Sequence, residues 1–343
     1  MKMEANTRVL RKFLEAVMCV IAFQHVRGAL TPDLLSKIAE ANRRGPHIGL
    51  VVPNAFELNP LLHSPHFTST DANIDFAGRR FRFGAICEQP VIVVMTGLSM
   101  INAAVTTQLL LSFFRVKGVL HYGTAGNVNP SLNTGDVLIP QYWAHLALWS
   151  WQRYGQGPED ELPLEANGDY TREIGYLKFA DYTTYIGDGS SYDNRLNNIW
   201  YQPEEIFAID GTPEERQHAF WIPVDSMFFQ MSQKLEELRL EKCFNSTCLL
   251  RRPKVARVQR GGSASIFLSN TAYRSFIYNK FNVSPIDMES ASVALICLQQ
   301  RVPFIAFRAV SGSKFMPLAS MNSVAVVVEF IKQWAQLRVR YSL

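Results

Sequence analysis

The amino-acid sequence predicts an α/β protein in which a mostly parallel β-sheet lies between two layers of helices, as in a three-layer α/β/α sandwich. Short apolar segments recur along the chain, as expected for strands that are covered on both faces. Segments with the length and pattern of helices separate them. Glycine-containing turns join several of the strands to the element that follows.

The first half of the chain supplies most of the predicted strands. The segment at 78–86 alternates basic with aromatic residues, which is typical of a hairpin strand with two different faces. We expect Arg79, Arg80 and Arg82 to point into solvent from a sheet edge. In chain order, the predicted elements are a helix at 32–43, a strand at 48–52, a loop or helix start at 56–62, the hairpin strand at 78–86, a strand at 91–96, a helix ending at Phe114, and strands at 118–122 and 137–140.

Residues 141–222 interrupt the alternation of strands and helices. They hold five of the six tryptophans together with many tyrosine, proline and glycine residues. This composition predicts an irregular insertion stabilised by aromatic packing, and long structured loops of this kind are often functional. Beyond it, a helix at 225–241 and a strand at 255–259 return the chain to the main sheet.

The last part of the predicted sheet carries two carboxylates. A strand ending at Asp287 leads into a helix that begins at Glu289, and a further strand at 304–310 is apolar except for Arg308. The carboxylates flank Met288 at a strand end, and α/β sheets bind ligands at the carboxyl ends of parallel strands. The alternative is that Glu289 only stabilises the helix N-terminus, which is worth under about 1 kcal/mol.

Length and composition restrict the class of protein. The 343 residues fit a single large α/β unit with an insertion, and a hydrophobic content of 48% is ample for its core. The net charge is +4, from 34 basic and 30 acidic residues, and neither sign forms a long block. This balance argues against a nucleic-acid partner.

The N-terminus has the three regions of a secretory signal peptide. Four basic residues precede an apolar run at 13–23, and the small residue Gly28 precedes the expected cleavage point. We therefore expect residues 1–28 to be a signal peptide and 29–343 to be one domain. The alternative is an amphipathic N-terminal helix. No later apolar stretch reaches the roughly 18 residues of a membrane span, so we expect a soluble protein, secreted or vacuolar, without a membrane partner.

Four of the five cysteines lie beyond residue 28. Cys243 and Cys248 enclose a polar segment that could close as a short disulfide loop in an oxidising compartment. Cys87 and Cys297 lie in apolar settings and are predicted to be buried thiols. The cysteines and histidines do not have the spacing of metal ligands, so we expect no metal, and we expect no other cofactor.

Short motifs in a fixed order carry a resemblance to a known family. The segment IDMESASVALICLQQRVPFIAFRAVSG at 286–312 resembles the signature of the purine nucleoside phosphorylase and methylthioadenosine nucleosidase superfamily, in which D/E-M-E is followed by a buried strand ending R-x-x-S-D. Segments at 149–155 and 197–207 are similar to its plant branch of bark and vegetative storage proteins. The resemblance implies a phosphorylase/hydrolase-like fold with a mixed central sheet. The other matching motifs are IGLVVPNAFEL at 48–58, VMTGLSMINAA at 94–104, GTAGNV at 123–128, GDVLI at 135–139 and GGSASIF at 261–267.

The resemblance implies which residues hold the sugar and the attacking water. In the nucleosidases, the counterpart of Glu57 activates the water. The counterparts of Met288 and Glu289 hold the ribose in the active relatives. Thr96 and Gly97 would contact the sugar or the base. These residues would make up the sugar side of a nucleoside pocket.

The resemblance also implies a base pocket with one residue changed. Ser263 and Phe267 would line the base, and Ser311 would stand beside the acid position. Relatives place an Asp there that protonates the purine leaving group, and this chain has Gly312. Loss of a general acid typically lowers a rate by about 10²- to 10⁴-fold.

Two other departures bear on the reaction. The phosphorylases grip phosphate with a glycine and a nearby arginine, whereas this chain has Val52 and Pro53 with no arginine following, and Ser99 replaces a turn glycine. Uridine phosphorylases carry Gln-x-Arg where this chain reads TAY at 271–273. Phosphate as the nucleophile and a pyrimidine pocket of that type are therefore not favoured.

Three functions fit these observations. The leading hypothesis is a protein that binds nucleosides and cleaves the N-glycosidic bond with reduced or altered activity. The second is a vegetative storage protein whose pocket is a relic. The third is an enzyme for a non-nucleoside substrate, using Glu57 and Glu289 as acid and base. The expected partners are a small nucleoside-like ligand and a second copy of the chain, because relatives complete the pocket by forming dimers.

Overall fold

A computed structural model of the protein describes residues 30–150, 173–176 and 198–341. The predicted signal peptide at 1–28 lies outside these residues, and so does much of the predicted insertion at 141–222. The described part of the insertion holds short strands that pair in two small antiparallel sheets and add one strand to the main sheet.

The main sheet has ten strands, and the remaining strands form three small sheets. In chain order the strands are β1 (His47–Val52), β2 (Phe67–Phe76), β3 (Arg79–Ile86), β4 (Gln89–Met95), β5 (Val116–Asn127), β6 (Val137–His145), β7 (Trp149–Ser150), β8 (Glu173–Tyr176), β9 (Asn198–Tyr201), β10 (Glu204–Ile206), β11 (Gln217–Ala219), β12 (Ile222–Pro223), β13 (Cys243–Phe244), β14 (Thr247–Cys248), β15 (Val255–Ser263), β16 (Val283–Asp287) and β17 (Phe304–Val310).

The main sheet is mixed. Its order is β12-β6-β15-β16-β5-β1-β4-β3-β2, and β17 pairs with both β5 and β6. β1 runs parallel to β4 and β5, β17 runs parallel to β5, and β15 runs parallel to β6 and β16. β16 is antiparallel to β5, and β17 is antiparallel to β6. Because of these pairs, β5, β17, β6, β15 and β16 close into a ring at one end of the sheet.

Helices cover both faces of this sheet, which confirms the three-layer prediction. Side chains of α2, α4 and α7 belong to one apolar cluster, and side chains of α1, α3 and α6 belong to the cluster on the other face. In chain order the helices are α1 (Pro32–Arg43), α2 (Ala55–Leu62), α3 (Met100–Phe113), α4 (Ser226–Met231), α5 (Thr271–Phe281), α6 (Ser290–Gln299) and α7 (Met316–Tyr341).

Local sequence explains where several helices begin. Thr31 caps α1 by accepting a hydrogen bond from the backbone of Leu34, and Pro32 follows at the first helical position. The Asn54 side chain caps α2 through the backbone N–H groups of Phe56 and Glu57. This cap fixes the first turn of α2, and therefore Glu57, directly after the buried strand β1.

Strand β17 shows how the two apolar clusters divide between the faces. Ile305 and Phe307 belong to the cluster with α2 and α7, whereas Phe304 and Ala306 belong to the cluster with α3 and α6. Side chains alternate along a strand, so Arg308 lies on the α3 and α6 face. Every residue of this strand is buried, including the arginine.

The predicted helix at 225–241 is wrong in its length. The α-helix ends at Met231 and continues as a 3₁₀ helix from Ser232 to Glu237. The Ser232 hydroxyl donates a hydrogen bond of 2.7 Å to the carbonyl of Phe229, a local bond that competes with regular helix geometry.

The hairpin at 78–86 is confirmed, but its predicted edge position is wrong. β3 lies between β2 and β4, and β2 forms the edge. The side chain of Arg79 reaches α3, where it donates to Thr106 at 2.7 Å and to Asn102 at 2.9 Å. Arg80 pairs with Asp75 of β2 on the exposed side. The sequence alone did not reveal β2 as a separate strand.

The cysteine predictions are correct for three residues of four. Cys243 and Cys248 form a disulfide between β13 and β14, and Cys297 is buried in α6. Cys87 is exposed, contrary to prediction, because it lies in the tight turn between β3 and β4 with a φ of 47°.

One helix among the described residues, at Ser313–Gln336, is long and apolar enough to cross a membrane. The prediction that no later apolar stretch reaches this length is therefore wrong. Most of its apolar window is buried inside the fold. Val327, Phe330 and Ile331 pack in the core cluster, so packing against the sheet accounts for the apolar sequence.

Candidate active site

Four charged side chains meet at the carboxyl edge of the sheet. Glu57 lies in the first turn of α2, which follows β1. Asp287 is the last residue of β16, and Glu289 immediately precedes α6. Arg308 projects from β17. All four are buried, although a buried charge is unfavourable unless it is paired.

Arg308 is at the centre of this group. Its side chain is 1% exposed, and its Nη2 donates to Glu289 Oε2 at 3.1 Å. Its Nε lies 2.8 Å from Asp287 Oδ2, an ion pair whose angle departs from that of a hydrogen bond. Burial alone would lower the pKa of Arg308, but the neighbouring carboxylates outweigh burial and raise it. We did not predict Arg308 as a site residue, although a single charge in an apolar strand was a usable signal.

Gly123 joins Glu57 to this group. It lies opposite Arg308 in the pairing of β5 with β17. A Cβ atom at position 123 would be 2.7 Å from Glu57 Oε1 and 2.8 Å from Arg308 Nη1. Both groups therefore occupy the space that a side chain at this position would need. Glu57 and Glu289 therefore lie close to each other, as predicted, because both carboxylates are beside the guanidinium group of Arg308.

Asp287 is held by several donors. Its Oδ1 accepts from the Ser263 hydroxyl and from the backbone N–H groups of Glu289 and Ser290, at 3.2 and 3.1 Å for the latter two. Its Oδ2 accepts from the Ser290 hydroxyl. These bonds fix the turn between β16 and α6, and so they orient the adjacent Glu289.

His121 closes a buried loop of hydrogen bonds, another contact that the sequence did not predict. Its Nε2 lies 3.3 Å from Arg308 Nη1, and its Nδ1 lies 2.9 Å from the Ser290 hydroxyl. Arginine can only donate, so Nε2 accepts and Nδ1 carries the proton that is donated to Ser290. Burial, and then the charge of Arg308, lowers the pKa of His121, which keeps the ring neutral.

Glu57 has one oxygen bound and one free. Its Oε1 accepts from the backbone N–H of Thr124 at 2.5 Å and from the Thr124 hydroxyl at 2.8 Å. Its Oε2 is buried and has no hydrogen-bond partner among the described residues. Burial raises the pKa of Glu57, against the opposing effect of Arg308 and Thr124. A carboxyl group with a raised pKa and a free oxygen is suited to accept a proton.

Glu289 is held between a cation and a backbone donor. Its Oε1 accepts from the N–H of Ser99 at 3.1 Å, and its Oε2 binds Arg308. Burial raises the pKa of Glu289 to about 7, and Arg308 only partly opposes this. Arg308 opposes the rise in pKa only partly, because its one guanidinium group is shared by the carboxyl groups of Glu289, Glu57 and Asp287.

The raised pKa of Glu289 predicts that stability depends on pH. The folded-state pKa is about 7 and the ordinary value is 4.5, so the folded protein holds an extra proton between these values. The stability from this group is therefore complete below the ordinary pKa and is lost as the pH rises through 7. Relative to Glu289→Gln, we expect wild type to lose on the order of 1–3 kcal/mol of unfolding free energy between pH 5 and pH 8. Urea unfolding of both proteins checks this, and parallel pH profiles would contradict it.

The other residues predicted for the sugar side lie around the turn after β4. The Thr96 hydroxyl is buried and donates to the carbonyl of Gly97 at 2.6 Å, so it is engaged within the protein. Gly97 and Ser99 have φ angles of 85° and 88°, a conformation that favours glycine. Ser99 is strained here, and its N–H points at Glu289. Met288, which lies between Asp287 and Glu289 in the sequence, is half-buried.

The residues predicted for the base pocket differ in how exposed they are. Ser263 is fully buried, donates to Asp287 and accepts from the N–H of Ala291, so it supports the site from within instead of lining an open pocket. Phe267 is 88% exposed on the loop after β15. That loop reaches the start of α3, where the Ser265 hydroxyl accepts from the N–H of Met100 at 3.2 Å.

Positions 311 and 312 lie just beyond β17, next to the end of β5. The N–H of Ser311 donates to the carbonyl of Ala125 at 3.0 Å. Gly312 is in an extended conformation, with a φ of −125°. A Cβ atom built there meets only the Thr134 hydroxyl, at 3.9 Å, so there is open space for a side chain.

Among the residues that the structure describes, no group of three or more His, Cys, Asp or Glu side chains is arranged to hold a metal ion. The candidate site itself offers the carboxyl groups of Glu57, Asp287 and Glu289 and the hydroxyl groups of nearby serine and threonine residues. Glu57 has a free oxygen that can accept a proton, and Glu289 has an oxygen turned to the same edge of the sheet. Such a pair is suited to orient a polyhydroxylated ligand and to activate a water molecule.

Comparison with known sequences identifies similar proteins. The sequence model of the family described as the phosphorylase superfamily matches residues 47–339 of this chain. Bark storage protein A of Populus deltoides is 30% identical over 315 residues, which cover 87% of this chain and 93% of that protein. A 5'-methylthioadenosine/S-adenosylhomocysteine nucleosidase of Staphylococcus carnosus is 23% identical over 270 residues, covering 76% of this chain and 89% of that protein.

Solved structures show the same fold. A 5'-methylthioadenosine/S-adenosylhomocysteine nucleosidase from Helicobacter pylori, in a structure with butyl-thio-DADMe-Immucillin-A, gives a TM-score of 0.57 at 16% identity over 84% of this chain and 98% of that chain. The enzyme of the same name from Neisseria meningitidis, in complex with methylthio-immucillin-A, gives a TM-score of 0.54 at 18% identity over 83% and 98%.

Proposed function

This chain belongs to the phosphorylase superfamily, and from that membership we propose that it binds nucleosides and cleaves their N-glycosidic bond, with reduced or altered activity. Water is the nucleophile in this proposal, because the basic group of the site, Arg308, is already shared by Asp287 and Glu289. A phosphate ion would also meet three neighbouring carboxyl groups.

One observation carries the proposal. Glu57 and Glu289 are 232 positions apart in the sequence, by subtraction of their numbers, yet both lie beside Arg308 at the carboxyl edge of the sheet. Structural neighbours are nucleosidases solved with nucleoside-analogue inhibitors, which supports a small nucleoside-like ligand for this site. Buried carboxyl groups with raised pKa values cluster at functional sites more often than elsewhere.

The two glutamates have different tasks in this proposal. Glu289 accepts hydrogen bonds from ribose hydroxyls, since Ser99 and Arg308 hold its carboxyl group in place. Glu57 accepts the proton of the attacking water on its free Oε2. Gly312 stands where relatives protonate the departing base, so the slow step is departure of the base.

Binding and turnover of a nucleoside panel test the proposal. We expect adenosine, inosine, methylthioadenosine or a cytokinin riboside to raise the melting temperature, because a ligand that binds only the native state stabilises it by about 2.7 kcal/mol at 100 times its Kd. We expect slow release of free base that does not depend on added phosphate. Failure of the whole panel to bind would contradict a nucleoside site.

A storage role is the second candidate. It is favoured by the similarity to bark storage protein A over 93% of that protein, together with the absence of an acid at position 312. In that case the site is a relic, and no nucleoside should raise the melting temperature. The same panel therefore separates the two functions.

We also propose that the protein follows the secretory route and is secreted or vacuolar. The disulfide between Cys243 and Cys248 supports this, because disulfides persist in oxidising compartments. N-terminal sequencing of the protein from its native tissue checks it, with Ala29 expected as the first residue.

A dimer is a further proposal. Ile101 and Val105 on α3 and Leu98 before it are exposed apolar side chains close to the turn that contacts Glu289. Adjoining exposed apolar side chains are typical of a protein–protein interface. Light scattering of the purified protein should give twice the mass of one chain, and the mass of a single chain would contradict it.

A further inference from the structure

The carboxyl groups of the candidate site lie on one side of it. The carboxyl groups of Glu57 and Glu289 lie together beside Arg308. The described residues that follow β17 at the other side, Ser311 to Phe315, include no acid. The site therefore has a base to activate water, but its leaving-group side lacks a carboxylic acid.

A hydroxyl group lies beside the open space at position 312. The loop that carries Thr134 is fixed against β17, because the N–H of Gly135 donates to Val310 at 2.8 Å and the N–H of Val310 donates to Asp136 at 2.7 Å. The Thr134 Oγ1 lies 3.9 Å from where a Cβ of residue 312 would be. It makes no hydrogen bond to any side chain or backbone group within the described ranges.

A threonine hydroxyl donates a hydrogen bond but does not act as an acid at neutral pH. Thr134 could therefore stabilise negative charge on a departing atom without protonating it. General acid catalysis matters most when the leaving group is a poor one, and little when the leaving group is stable as an anion.

We propose that this site turns over ribosides whose leaving group departs as a stable anion, and that Thr134 donates a hydrogen bond to that anion. This inference rests on the proposed function and specifies its substrate class. Natural nucleosides with weakly acidic bases are then bound well and cleaved slowly.

The reaction balances without a protein acid. The oxygen of water forms a bond to the anomeric carbon of the ribose, and its proton passes to Glu57 Oε2. The bond from that carbon to the leaving atom breaks, and the electron pair leaves with the departing group. The protonated Glu57 then returns its proton to solvent. The raised pKa of Glu57 agrees with a group that carries the proton in passing.

Two aryl ribosides test the inference, because they differ mainly in the acidity of the leaving phenol. We expect the wild-type kcat/KM for 4-nitrophenyl β-D-ribofuranoside to exceed that for phenyl β-D-ribofuranoside by at least about 100-fold. Gly312→Asp should accelerate cleavage of the phenyl riboside far more than cleavage of the nitrophenyl riboside. The ratio of the nitrophenyl kcat/KM to the phenyl kcat/KM should therefore fall towards one. Gly312→Asn is the matched control: it fills the same space without an acid, and it should leave the ratio high.

Thr134→Val tests the hydroxyl, since valine has nearly the same shape. We expect it to lower kcat/KM for the nitrophenyl riboside by about tenfold or more, as for loss of a hydrogen bond to a charged group. An unchanged rate, in a variant that melts as wild type does, would overturn the role of Thr134.

Other outcomes separate this inference from the proposed function. Equal wild-type rates for the two aryl ribosides would mean that another group supplies a proton, and would overturn the inference. Lys314, which is exposed nearby, is then the group to replace with methionine. If the nucleosides bind but neither aryl riboside is cleaved, the substrate class is wrong while nucleoside binding stands. If nothing binds or reacts, the proposed function itself fails.

Discussion

Replacing Arg308 with leucine should lower the free energy of unfolding by about 3–5 kcal/mol at pH 7, the range for removing one partner of a buried ion pair. Asp287 and Glu289 would then remain buried without their shared cation, since both pair with Arg308 and are almost inaccessible to water. Urea unfolding measures the change. The loss should become smaller at pH 5, because Glu289, whose pKa burial raises to about 7, is then protonated and no longer leaves a buried negative charge.

The matched control is Arg301→Leu. Arg301 pairs with Asp210, but these side chains are 51% and 61% exposed. Exposed pairs contribute about 0–1 kcal/mol, so this variant should unfold much as wild type does. If Arg308→Leu also stayed within 1 kcal/mol of wild type, the buried network would not hold the site together as inferred from its geometry.

Replacing Glu57 with glutamine should lower kcat/KM for the 4-nitrophenyl riboside by about 10²- to 10⁴-fold. Glutamine keeps the oxygen that accepts from the Thr124 backbone N–H and hydroxyl, but it cannot take the proton of water. The fold should be retained, because Glu57 is buried, and burial disfavours its charge and raises its pKa, so a neutral side chain is tolerated there. Steady-state kinetics and a melting curve of the same sample give both quantities.

Glu40→Gln is the control for this change. Glu40 lies on α1 and bonds with the exposed Arg43 and Arg44, so replacing it should leave turnover unchanged. Turnover that persists in Glu57→Gln at the wild-type rate would show that Glu57 is not the base. Turnover that is equally low in both variants would indicate a general loss of folded protein.

Much of the fold could be predicted because buried parallel strands have a simple pattern. β1, β4 and β17 are apolar runs at or within one to two residues of their predicted ends, and α1 has the predicted bounds. The closed ring of strands could not be predicted, because it depends on pairs such as β16 with β5 that join distant segments. The edge strand β2 has a mixed, polar sequence without a clear period.

The candidate site was predictable only in part. The resemblance to the phosphorylase and nucleosidase family indicated Glu57 and Glu289, and the structure brings both beside Arg308. His121 and Thr124 were missed because their roles depend on strand register and on a neighbouring helix, which no local pattern specifies. Side-chain direction was the other limit, since the Ser263 hydroxyl faces Asp287 within the protein.

A crystal structure with methylthio-immucillin-A, the compound bound by the Neisseria meningitidis nucleosidase, would show whether Glu57 and Glu289 surround a sugar. We expect a sugar-ring hydroxyl within about 2.6–3.2 Å of the Glu289 carboxylate, and Glu57 within the same distance of a water molecule or of the ring. We also expect the base analogue to extend towards Gly312. A ligand bound elsewhere, or one that leaves both carboxylates without contact, would contradict the proposed site.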